Sequence, residues 1–114
     1  MRLHRNLVFT TIDSLMAIFN EGEYADKVAA KEKKKDKRWG SHDRKFVAET
    51  IYEIVRWKRL YVEIAEVKEP FDRDNIWRIF AVWAVLRGYT LPDWKYFEET
   101  PVRRIKGKFD ELTK

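Results

Sequence analysis

A chain of 114 residues, 45% hydrophobic and 15% aromatic, holds enough apolar surface for one core, but not for a core plus a separate cofactor-binding domain. It has no cysteine, which excludes disulfides, thiolate metal sites and thiol nucleophiles together and fits a reducing compartment. The formal charge is +5, and residues 27–38 hold seven basic and two acidic side chains, leaving seventeen of each elsewhere. An excess confined to one block makes a one-sided field that attracts a polyanion.

In chain order, the opening MRLHRNLVFTTIDSL lacks the apolar run and small-residue cleavage site of a signal peptide. No stretch approaches the length of a membrane span, so a cytoplasmic location without a membrane partner is expected. Residues 4–20 read as an amphipathic helix, with Val8, Ile12, Leu15, Met16 and Phe19 on one stripe. Gly22 suits its C-terminal stop. Residues 24–37 read as a weaker helix in which Tyr24, Val28 and Ala29 supply the packing before lysines take over. Trp39-Gly40-Ser41 breaks it, and Ser41 or Asp43 caps the next helix.

Val47, Ile51, Ile54 and Val55 form the stripe of that next helix. Continued without interruption, it would place Lys58 in the middle of the apolar face. A core lysine is improbable, so a break is expected at 57–59, with Tyr61, Ile64 and Ala65 on a re-aimed helix ending at Pro70. Residues 74–87 are apolar around the whole helix axis and therefore belong at the centre. Gly88 caps them. Pro92 opens a short helix carrying Trp94 and Phe97. Pro101 marks a boundary, and Val102, Ile105, Phe109 and Leu112 suit a last helix that Gly107 weakens. No period-two pattern occurs, so the expected fold is an all-α compact bundle of about five to six helices around residues 76–86.

Catalytic signals are missing. Gly22, Gly40, Gly88 and Gly107 stand alone, so no phosphate-cradling glycine loop is possible. His4 and His42 are not placed with carboxylates at metal-ligand spacing. Glu49 and Glu53, four residues apart among Lys45 and Arg56, suit helix-surface ion pairs. No nucleophile has an oriented base. The chain by itself is expected to be inert, with no cofactor and no metal.

One segment is more specific. Asp43-Arg44, Phe46-Val47, Glu49, Tyr52 and Val55-Arg56-Trp57 stand in the order and spacing of the NusB-like domains, which the chain resembles over residues 4–97 and most specifically between 39 and 61. The helix Arg78–Leu86 is similar to the family's central helix, although it lacks the usual glycine near Phe80 and the Tyr-Gln pair near Trp83. Trp39-Gly40-Ser41 and Asp43-Arg44 look closer to the branch that forms the N-terminal domain of RsmB-type methyltransferases. The resemblance implies an RNA-binding domain at residues 1–100. It implies that residues 101–114 begin a linker or helix toward a catalytic domain that follows the chain. That domain would methylate a ribosomal-RNA cytosine at carbon 5 with S-adenosylmethionine. The expected partners are ribosomal RNA and this catalytic domain.

The residues expected to hold phosphates are Lys31, Lys33, Lys34, Lys35, Lys37 and Arg38, extended by Arg44, Arg56, Lys58 and Arg59. Arg5 joins them because the family's first helix often begins with Arg at the RNA side. Trp39, beside the basic run, is either a stacking platform for an unpaired base or a plug at a helix junction, the plug being the commoner role. For Arg44 the competing role is an ion pair with Glu49 or Glu53. A protein-interaction module is the alternative function, with Trp94, Tyr96 and Phe97 as its docking patch. A DNA-reading helix-turn-helix is weaker, because apolar Phe46 and Val47 occupy the reading positions.

Overall fold

The structure is a computed structural model that describes residues 3–28, 30 and 39–114. Among these residues every regular element is helical and no strand occurs. The first helix, α1 (Arg5–Glu21), buries Leu7, Val8, Ile12 and Leu15. It also buries Thr11 and Ser14. Their hydroxyls donate to the Leu7 and Thr10 carbonyls at 2.9 and 2.8 Å, so neither enters the core unsatisfied. Thr50 uses the same device on Phe46 at 2.6 Å. Gly22 ends α1 with φ 72°, a left-handed conformation that suits glycine.

Residues 25–28 are helical, and Val28 is buried as expected. Tyr24 is not: it precedes the helical turn and is 73% exposed, because the element starts one residue too late to turn it inward. Ala29 and residues 31–38 of the expected second helix lie outside the described residues.

Helix α2 (Ser41–Arg56) buries Val47, Ala48, Thr50, Ile51 and Ile54. Its N-cap is Gly40 rather than Ser41 or Asp43. Asp43 instead reaches back to accept from the Gly40 amide at 3.4 Å. The break predicted from Lys58 falls on Trp57, whose φ and ψ of −104° and 26° leave the helical region. Helix α3 (Lys58–Ala65) then turns Tyr61 and Ile64 into the core. It stops at Glu66, a non-glycine residue in the left-handed region at φ 58°.

Helix α4 (Arg73–Leu86) is the central element and has nine buried residues, Phe80 and Ile79 completely. Asp72 opens it: its carboxylate accepts from the Asn75 amide at 2.7 Å, while the Asn75 side chain accepts from the Asp72 amide at 3.2 Å. The helix runs antiparallel to α1, since Arg73 pairs with Asp13 at 2.8 Å and Trp77 meets Phe9 at 5.4 Å. Gly88 (φ 83°) closes it, with Tyr89 donating back to the Ala84 carbonyl at 2.9 Å. A 3₁₀ turn, Lys95–Phe97, plugs Phe97 against α4. Finally α5 (Val102–Leu112) rests on the body through Ile105, which is 3% exposed and joins the main core. The segment beyond residue 101 is thus packed against the bundle.

Candidate nucleic-acid interface

Lys31, Lys33, Lys34, Lys35, Lys37 and Arg38 lie outside the described residues. The other five cations do not form one patch. Arg5 is exposed at the first position of α1, with its guanidinium 5.5 Å from the Phe9 ring and 5.8 Å from that of Trp94. Lys58 lies beside Phe19, near the other end of the same helix. Fourteen residues at 1.5 Å per residue put about 21 Å between those ends, too far for one phosphate to reach both.

Lys58 is half-exposed and paired. Its ammonium hydrogen-bonds the Glu69 carboxylate and lies 5.1 and 5.7 Å from the Phe19 and Phe71 rings. A cation already paired and lying near two aromatic rings is a weaker candidate for a phosphate than an open one. Arg44 is half-buried in the first turn of α2, and its Nε has no hydrogen-bond partner among the described residues. Neither acid suggested as its partner is engaged with it: Glu49 pairs with Lys45 at 3.9 Å and Glu53 with Arg87 at 3.4 Å.

Trp39 is buried, with 8% of its surface exposed. It belongs to a small cluster with Leu7, Val47, Ala48 and Ile51 that seals α1 against α2. An indole held there has no free face for a base, so Trp39 is the junction plug, and the stacking role is withdrawn.

The outward basic-aromatic surface lies instead at the α2–α3 break. Arg56 and Arg59 are exposed there, and neither has a carboxylate within 4.0 Å among the described residues. Between them Trp57 is 47% exposed, and the Arg56 guanidinium lies 5.3 Å from its ring. The backbone holds this corner on both sides: the Trp57 amide donates to the Glu53 carbonyl and its own carbonyl accepts from the Tyr61 amide, each at 3.0 Å. The exposed tryptophan beside basic residues is Trp57, eighteen positions after Trp39. Both tryptophans stand at helix junctions, and only the packing of Leu7 over one of them tells them apart.

A second surface is a groove of about 490 Å³ between α3, α4, the 3₁₀ turn and α5, and it takes in Tyr96 of the docking patch expected from the sequence. Tyr96 stacks on Trp77 in its floor, with centroids 4.2 Å apart and planes 8° apart. Its rim carries Glu66, Asp74, Glu98 and Glu99 against Arg78 and Lys95. Arg104 grips Glu66 with two hydrogen bonds of 2.8 and 2.7 Å, and Lys108 adds a contact at 3.1 Å. Together these hold the Glu66 carboxyl at about 2, well below the usual range. The rim is thus of mixed charge.

Among the described residues no group of three or more His, Asp or Glu side chains could hold a metal ion, and no helix is long and apolar enough to cross a membrane. The chain matches no family model, no curated protein and no solved structure.

Proposed function

We propose that this chain is an RNA-binding helical domain that helps position ribosomal RNA for an S-adenosylmethionine-dependent cytosine-5 methyltransferase domain, and that it performs no chemistry itself. The observation that carries the reading is the charge: the whole net +5 belongs to residues 27–38 of an otherwise neutral chain. Arg56 and Arg59, exposed and without a carboxylate within 4.0 Å among the described residues, add a cationic corner. The resemblance of residues 39–61 to the NusB-like domains supplies the methyltransferase context.

The test is a titration of a small-subunit ribosomal-RNA fragment at several salt concentrations. Binding through Z phosphates should weaken linearly in log–log form, with a slope of roughly −0.7Z for single strands. Affinity that ignores salt would sink the reading. Calorimetry with S-adenosylmethionine should give no heat of stoichiometric binding, since the chain has no glycine loop to cradle a cofactor.

The groove favours a second reading, a module that docks protein. Tyr96, which lines it, is 42% exposed, and the mixed rim suits a polypeptide better than a phosphate backbone. The two readings concern different faces and separate by salt, because an apolar docking surface barely responds to it.

A further inference from the structure

Five tryptophans and five tyrosines are distributed over this small fold, and the structure sorts them by what an incoming base would meet. Trp39, Trp77, Trp83 and Tyr61 are buried, and Tyr89 and Trp94 are half-buried, Tyr89 stacked on Trp83 and Trp94 held between Phe97 and the Arg5 guanidinium. Tyr52 is drawn toward Asp26: partial burial first, and then the neighbouring carboxylate, pushes its phenol pKa up. Tyr96 offers exposed ring surface, but Trp77 covers one face and four carboxylates rim the groove around it. Tyr24 is the most open, with Lys27 at 5.7 Å, yet it lies outside any helix and has little to hold it. Trp57 alone combines an open indole, flanking guanidiniums without carboxylate partners among the described residues, and a backbone fixed by hydrogen bonds to two helices.

We propose that Trp57 is the base-stacking platform of this domain, taking an unpaired nucleobase of single-stranded RNA while Arg56 and Arg59 hold the adjoining phosphates. The proposal rests on the RNA-binding reading above and specifies the part of the RNA recognised. The chemistry follows from the constituents. An indole face stacks on any base, and a guanidinium over the same ring adds a cationic layer to the stack. Arg59 follows Trp57 by two residues at the start of α3, within reach of the phosphate next to a stacked nucleotide. In a duplex the bases are already stacked on one another, so the platform selects unpaired nucleotides. The break at Trp57 leaves its indole 47% exposed between α2 and α3.

The experiment uses the whole chain and an unstructured oligouridylate of about ten nucleotides, in the range that single-strand sites span. Its controls are the same strand in a duplex with oligoadenylate and a ribose-phosphate strand without bases. Trp57→Ala should weaken binding of the single strand by roughly tenfold or more. It should leave the salt slope unchanged and bring the affinity down to that of the baseless strand. Trp57→Phe should keep most of the affinity. Tryptophan emission of the wild type should be quenched on binding, and that quenching should vanish in Trp57→Phe. Arg56→Ala with Arg59→Ala should instead reduce the salt slope by about one to two units. Circular dichroism of each variant shows whether the bundle is intact. Equal affinity and equal quenching for wild type and Trp57→Ala, with a normal salt slope, would overturn the stacking site and leave the RNA reading standing. Wild type that binds no RNA in a salt-dependent way would overturn both.

Discussion

Tyr61 sits in the core beside Glu53, whose carboxylate is 3.5 Å from the phenol oxygen. Burial, and then the negative charge and hydrogen bond of Glu53, push the phenol pKa up to about 12, partly offset by Arg87. The folded state therefore prefers the neutral phenol. The stability this confers is present below the ordinary value of 10 and is lost as pH rises from 10 to about 12. Glu66 has the opposite sign. Its folded pKa of about 2 lies below the ordinary 4.5, so its contribution is present above 4.5 and is lost as pH falls toward 2. It is a surface cluster, so the effect is modest. Unfolding midpoints measured against pH should show Tyr61→Phe flattening only the alkaline limb and Glu66→Gln only the acid limb. A larger residue-scale effect belongs to Trp83, 3% exposed and packed against Phe80, Tyr89 and Phe46 at 5.3, 5.3 and 5.9 Å. Trp83→Ala should cost about 3–5 kcal/mol. Trp83→Phe should cost much less, because the indole Nε1 has no hydrogen-bond partner among the described residues. Thermal melts of the two variants check this, and two equal losses would refute it.

The elements show which physical signals a sequence transmits. The stripes of α1 and α2, the all-round apolarity of α4 and the break before Lys58 were legible because each is a local pattern that only one helix geometry satisfies. Gly22 and Gly88 were legible as stops because left-handed positions favour glycine. Glu66, which ends α3 in the same conformation, was not. Its position is stabilised by Arg104, thirty-eight residues away, and no local pattern announces such a partner. That Trp39 is buried while Trp57 is exposed escaped for the same reason, since burial at a junction depends on which distant side chain covers it. Lys58 was rightly kept out of the core, but its partners Glu69, Phe19 and Phe71 come from other elements. The glycines give a test with two signs. Gly88→Ala forces a side chain into φ 83° and should destabilise by about 1–2 kcal/mol. Gly107→Ala lies inside α5 with open space around the added methyl and should stabilise by about 0.5–1 kcal/mol. Urea midpoints of the two variants should move in opposite directions. A Gly107→Ala midpoint below wild type would mean that α5 is not helical at that position in solution.

At the scale of the whole molecule, charge and fold are largely independent, and that independence can be tested. The core is built from α1, α2, α3, α4 and α5, with its largest buried side chains on α1, α2 and α4. The charge excess sits in residues 27–38, away from those helices in the sequence. Replacing Lys33, Lys34 and Lys35 by Glu takes that block from +5 to −1 and should leave the melting temperature nearly unchanged, because lysines are rarely part of a core. RNA affinity should respond strongly. If about three of these side chains contact phosphates, the salt slope should flatten by roughly two units at the single-strand coefficient. Combining the triple change with Trp57→Ala separates the two contributions. Attraction through phosphates and stacking on a base act on different parts of the nucleotide, so their effects on log affinity should add, with the change in slope coming from the lysine replacements alone. Titrations of a small-subunit RNA fragment at several salt concentrations, with circular dichroism as the folding control, measure both. Unchanged affinity and slope in the triple variant would mean that the basic block is only a solvated surface. Any RNA attraction would then have to come from the corner formed by Arg56, Trp57 and Arg59, and the slope would not exceed the one to two phosphates that two arginines can neutralise.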